Sequence, residues 1–298
     1  MDEAPATRLI VDSRCAIGES PLWDAARRAL FWVDIPAGTV FRLDIASGTV
    51  RRWEFGRPVG SLGLARSGRL VVAVGGEVRM LDPDSGAHNL LAEVEPRFPE
   101  FRLNDGKVGP DGAFWVGSMH DVPPDRQRPE ARLYRVSADG RVERRIDGLK
   151  ASNGLAWTAD GRTMFCTDSR GPWIDRWDFD PTTGGLSARR RLRELSEAEG
   201  RPDGGACDAA GTYWSCGVSA GCLNNFDAEG RLLRRLTLPV PAPTMPCFAG
   251  ERLATLYVTS LRKGLSDAAL AAAPASGGVL AVDAGVAGAP VTLFEDLP

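Results

Sequence analysis

Short apolar runs separated by polar punctuation recur along the whole chain, with a period of about 40–50 residues. Each unit opens with a small or polar residue, a short apolar stretch and a turn. A run rich in β-branched and aromatic residues follows, as in Leu30-Phe31-Trp32-Val33-Asp34, Leu70-Val71-Val72-Ala73-Val74, Ala113-Phe114-Trp115-Val116-Gly117, Met164-Phe165-Cys166-Thr167-Asp168, Thr212-Tyr213-Trp214-Ser215-Cys216 and Leu256-Tyr257-Val258-Thr259-Ser260. Next comes an alternating strand, such as Val40–Asp44, Val78–Asp82, Arg132–Val136 or Ile174–Asp178. Turn residues (Ser47-Gly48, Asp84-Ser85-Gly86, Ala138-Asp139-Gly140, Thr183-Gly184-Gly185) and a final strand such as Val50–Glu54 close the unit. Four strands in each of six units predict an all-β, six-bladed β-propeller, with residues 1–298 as one domain. A two-sheet sandwich fits the regular spacing less well. The N-terminal run Arg8–Asp12 has no partner in the first unit. It is expected to close the ring by pairing into the last blade beside Val291-Thr292-Leu293-Phe294, hiding a sheet edge. The segment Leu265–Ala273 predicts one or two helical turns in an insertion.

An oxygen-bearing side chain recurs at one phase of this unit. Glu19, Asn104, Asn153 and Asp203 each stand at the start of a first strand, and after the last three a turn glycine follows (Gly112, Gly161, Gly211). An isolated Asn-Gly or Asp-Gly is ordinarily only a turn. Shared phase in a radial repeat changes that, because equivalent positions surround one axis at the mouth of the central channel. Hard oxygen donors of this kind suit a divalent cation. Glu19 and Asp203 would balance its charge, Asn153 would add a carbonyl oxygen, and water or substrate would take the remaining positions. Ca, Mg, Mn, Zn and Fe all remain open as the ion. The matching position in the second unit is Gly60, which offers no donor and is expected to leave one side of the mouth open.

Composition narrows the classes. The chain has 298 residues, 43% hydrophobic and 25% charged, with a net charge of −3. Charges of both signs are interspersed, so no basic face is expected for nucleic acid. No apolar run is long enough to span a bilayer. The first residues lack the pattern of a secretory signal, so a cytoplasmic location is expected. The six cysteines contain no C-x-x-C pair and read as reduced, buried thiols. Two histidines exclude a multi-histidine metal site.

Several segments resemble the senescence marker protein 30 / gluconolactonase / luciferin-regenerating enzyme family, which includes regucalcin and bacterial sugar lactonases. They are Gly18-Glu19-Ser20-Pro21-Leu22-Trp23, Phe31-Trp32-Val33-Asp34-Ile35, Arg102-Leu103-Asn104-Asp105-Gly106-Lys107, Ser152-Asn153-Gly154-Leu155-Ala156-Trp157, Arg201-Pro202-Asp203-Gly204 and Leu256-Tyr257-Val258-Thr259-Ser260. The resemblance implies a six-bladed propeller with one divalent metal at the channel mouth. It puts Glu19, Asn153 and Asp203 at metal-ligand positions, and Arg102 and Asn104 at substrate-contacting ones. It also implies hydrolysis of a sugar-acid lactone such as a glucono-, xylono-, arabino- or galactonolactone. Asp203 is then the candidate general base, the alternative being a water whose pKa the cation lowers.

Two stretches depart from the family pattern. Relatives carry an acidic residue beyond Gly117-Ser118-Met119, where this chain reads His120-Asp121-Val122. Asn224 and Asn225 weaken the alternation of an outer strand. Besides a lactonase acting on a small molecule without an obligate protein partner, two other readings stand. One is a non-catalytic calcium-binding or regulatory propeller. The other is a promiscuous esterase or phosphotriesterase.

Overall fold

In a computed structural model that describes residues 2–297, and side chains from Ala4 onward, the chain forms six antiparallel sheets around one axis. The innermost strands are Gly18–Asp24, Val59–Leu64, Phe101–Val108, Ser152–Trp157, Pro202–Cys207 and Pro243–Ala249. In five blades the next three strands follow in chain order. The sixth takes its outermost strand from the other end of the chain: Thr7–Val11 pairs antiparallel with Val279–Val282. The ring is therefore closed by the N-terminal strand, as expected. The expected neighbour is wrong. Residues 284–296 cross the face opposite the candidate site, where Gly288 bridges Asp208, Phe294 bridges Ala65, and Glu295 N–H donates to Gly112 O. Asp2–Glu3 adds a short parallel pairing to Leu232–Thr237 in the fifth blade. The insertion carries one helix, Asp267–Ala272, whose N-cap Ser266 accepts from Ala269 N–H at 3.2 Å. No helix among the described residues is long and apolar enough to cross a membrane.

The core is not central. It is divided into six apolar layers, one between each pair of adjacent blades. Second strands such as Ala29–Asp34 and Leu70–Val74 are buried along their whole length. Both sheet faces meet a neighbouring blade, which explains their continuous apolar runs. Outer strands such as Val50–Glu54 are mostly exposed and correspondingly charged. Asn224 and Asn225 sit inside a buried strand and are satisfied there: their side-chain amides donate to Glu199 O at 2.9 Å and Thr212 Oγ1 at 2.6 Å. All six cysteines are free and buried.

Every innermost strand carries a register shift near its start, between Glu19 and Leu22, Val59 and Ser61, Leu103 and Gly106, Asn153 and Ala156, Pro202 and Gly205, and Pro243 and Pro246. A β-bulge puts extra residues on one strand and re-aims their side chains. Here the device repeats six times around the axis, at the positions carrying the oxygen-bearing side chains. Ser20 accordingly has a φ of 50°, and its hydroxyl accepts from Leu62 N–H of the next blade at 3.0 Å.

Candidate functional site

The bulges bring together the five residues singled out in the sequence. Arg102 is buried and forks between three acceptors: Asp121 Oδ2 at 3.1 Å, Leu103 O at 3.0 Å and Asn104 Oδ1 at 2.8 Å. Asn104 Nδ2 donates to Asn153 Oδ1 at 3.2 Å and to Ser152 O at 3.0 Å. Asn153 Nδ2 donates to Ser169 Oγ at 2.7 Å. Ser169 in turn hydrogen-bonds Asp203. Glu19 faces Asp203, Asp105 and Arg102 as charged neighbours, and its Oε2 accepts from Ser20 N–H at 3.2 Å. A continuous polar wall thus runs from Arg102 through two amides to Asp203, with Glu19 beside it.

Burial pushes the carboxyls of this wall up. Desolvation, then the charges of Asp203 and Asp105, raise Glu19 well above the ordinary carboxylate range. Desolvation chiefly, and then Asp105, raise Asp203 to about 7, against the opposing pull of Arg201 and Arg170. Asp105 is raised by burial as well. Crowded acids that resist ionisation are what a bound cation would relieve, so the donor chemistry fits a divalent ion. Among the described residues no three His, Cys, Asp or Glu side chains gather at ligand spacing. The third donor would therefore be an amide oxygen, that of Asn153.

A Cβ at Gly60 would lie 2.6 Å from the carbonyl oxygens of Leu103 and Asn104, so glycine there lets two inner strands pack closely. Asn104, expected among substrate-contacting residues, has both side-chain ends engaged and holds Arg102 to Asn153.

Sequence reasoning missed other members. Asp105 lies in the same bulge as Asn104, and its Oδ2 accepts from Leu155 N–H at 3.0 Å. Asp121, left without a role in the sequence, pairs with Arg102. His120 is structural: it stacks on Phe101 with ring centroids 4.4 Å apart and accepts from Arg128 N–H at Nδ1. Lys107 reaches from the third blade to Gly205 O of the fifth at 2.8 Å, crossing the channel. A cavity of about 390 Å³ lies toward the far end of the inner strands, against Cys207, Cys247 and the segment Ala289–Thr292, and none of the paired carboxylates lines it.

These features define a six-bladed propeller with an acidic, amide-lined mouth. Residues 17–262 match the SMP-30/Gluconolactonase/LRE-like region, and the chain belongs to that family. Regucalcin of Bos taurus is 35% identical over 285 residues, covering 94% of this chain and 95% of the relative. The 6-deoxy-6-sulfogluconolactonase of Pseudomonas putida is 35% identical over 288 residues, covering 96% and 98%. Among solved structures, a regucalcin from Agrobacterium tumefaciens described as a calcium-binding protein superposes with a TM-score of 0.92 at 25% identity, covering 99% of each chain. A luciferin-regenerating enzyme superposes with a TM-score of 0.90 at 28% identity, covering 98% and 100%.

Proposed function

We propose that the protein is a divalent-cation-dependent hydrolase of sugar-acid lactones, acting in the cytoplasm as one domain on a small-molecule substrate, with no nucleic-acid, membrane or obligate protein partner. The observation that carries this reading is two buried acids, Glu19 and Asp203, beside a buried arginine and a chain of hydrogen-bonded amides. Family membership and the lactonase among the relatives support it. Glu19, Asn153 and Asp203 would hold the cation. A bound divalent ion stabilises negative charge on a carbonyl oxygen during attack by water.

The remaining roles fall to this chain's own groups. Asp203, held ionised beside the cation, would accept the proton of the attacking water. Water oxygen bonds to the lactone carbonyl carbon, the ring C–O bond breaks, and Asp203 returns the proton to the departing ring oxygen. Arg102, oriented by Asp121, donates to substrate oxygens from a fixed position. Asn104 positions Arg102 against the wall. Polar donors around the mouth favour a hydroxylated substrate over an apolar ester.

A panel of aldonolactones followed by proton release, corrected for spontaneous opening, tests the proposal. Hydrolysis should vanish with a chelator and return on adding a divalent metal. Cation binding without hydrolysis of any lactone would favour a regulatory propeller like that suggested by the calcium-binding relative.

A further inference from the structure

Two arginines stand at the mouth without a use in the chemistry above. Arg170 directly follows Ser169, which bonds Asn153 and Asp203. Arg201 lies two residues before Asp203. Each guanidinium is a charged neighbour of Asp203, and Arg201 is one of Arg170. Both are only partly buried.

Their local partners are poor. Arg201 meets only the exposed Glu197, at 3.4 Å, and its Nε has no hydrogen-bond partner. The side chain of Arg170 makes no ion pair or hydrogen bond among the described residues. The nearby Asp168 is saturated by backbone, accepting from the N–H groups of Lys150, Ala151, Arg170 and Gly171. Burial and the like charge of Arg201 hold Arg170 below the ordinary guanidinium range.

Charge balance makes this pair informative. Arg102 is matched by Asp121, and Lys107 has Asp105 as its charged neighbour. Once a divalent ion takes the charges of Glu19 and Asp203, the two arginines lose their main attraction. Two neighbouring cations on a partly desolvated rim are then left with one loose carboxylate between them. Paired guanidinium forks match the oxygens of a carboxylate, sulfonate or phosphate.

We infer that Arg170 and Arg201 form an anion subsite, and that the substrate is a sugar lactone carrying a second, permanently anionic group. This rests on the lactonase reading. Arg102 would hold the lactone ring, while the arginine pair takes the charged substituent at its far end.

The experiment uses the cation-loaded full-length protein. Specificity constants are measured for glucono-1,5-lactone against 6-phosphogluconolactone, 6-deoxy-6-sulfogluconolactone and a glucaric acid monolactone, which separates phosphate, sulfonate and carboxylate. Binding of sulfate is measured in parallel by calorimetry. At least one anionic lactone should be preferred over the neutral one by about tenfold or more. That preference should shrink toward unity in the double variant Arg170→Gln/Arg201→Gln and with added salt. Arg170→Lys should retain part of it, and unfolding curves confirm that the variants are folded. If the arginines serve only to tune Asp203, neutral and anionic substrates decline together and the ratio is unchanged, which overturns the inference. Lactone hydrolysis with no anionic preference overturns it and leaves the lactonase reading intact. Sulfate binding that depends on the two arginines, in a protein that opens no lactone, sinks the lactonase reading and leaves the anion subsite standing. The absence of both sulfate binding and anionic preference overturns the subsite.

Discussion

The two ends of the central channel are built from the same six strands and have opposite chemistry. At the strand starts stand Glu19, Arg102, Asn104, Asn153 and Asp203, buried and polar. A few residues further along the same strands are Leu22, Val108, Trp157, Cys207 and Phe248, buried and apolar. The bulge lies between the two sets in each strand. At the apolar end the C-terminal segment crosses from the fifth blade to the second and third. It drives Phe294, which has no exposed surface, into the layer between the second and third blades. Arg66 with Glu295 and Arg69 with Asp296 pin its end. The contrast separates two uses of burial. Apolar side chains removed from water stabilise the ring, whereas carboxyls removed from water destabilise it until a cation or a proton arrives.

The largest expected effect is at the polar end. Asp203→Ala should lower lactone turnover by ~10³-fold or more and weaken cation binding. Its cation-free form should melt no lower than the parent, since a crowded buried acid is gone. Asn104→Ala is the control that sharpens this. It should reduce turnover by roughly tenfold to a hundredfold through a mispositioned Arg102 while the cation still binds. If calorimetry finds cation affinity intact in Asp203→Ala, or lost in Asn104→Ala, the roles given to these residues are reversed.

Phe294→Ala addresses the apolar end. Truncating a fully buried phenylalanine costs about 3–5 kcal/mol, on the order of a 10 °C fall in melting temperature for a chain of this size. Cation affinity should stay within about twofold, because Phe294 packs against the far end of the inner strands. Coupled loss of cation binding would mean that the two ends are not independent.

The smallest effect is the pH dependence of stability. Asp203 has a folded pKa of about 7, raised above its ordinary value. In the cation-free protein its contribution is fully present below the unfolded carboxylate pKa and is lost as pH rises through about 7. A cation binds the ionised form, so its stabilisation opposes that loss. The rise in melting temperature on adding the metal should be larger at about pH 8 than at about pH 5.5. Equal shifts at both values would place the cation elsewhere.

The fold and four of the site positions were legible because a radial repeat turns spacing along the chain into position around an axis. Glu19, Asn104, Asn153 and Asp203 share a phase, and phase survives in a one-dimensional string. Gly60 shares it too, but its close approach to the backbone of Leu103 and Asn104 is set by the next strand. The C-terminal run Val291–Phe294 reads as strand from its β-branched and aromatic residues, yet it bridges Ala65 across the far face. Propensity identifies an extended segment without naming its partner.

The chain by itself determined a ring of six repeated sheets and a cluster of oxygen donors at one end of it, because periodic patterning and turn residues are local properties. Tertiary structure alone decided that Asp121 orients Arg102, that Asp105 crowds Glu19 and Asp203, and that Arg170 and Arg201 are charged neighbours. Those relations depend on loop paths and on the closeness of groups far apart in sequence. Electrostatic energy follows distance and burial, neither of which is written in residue order.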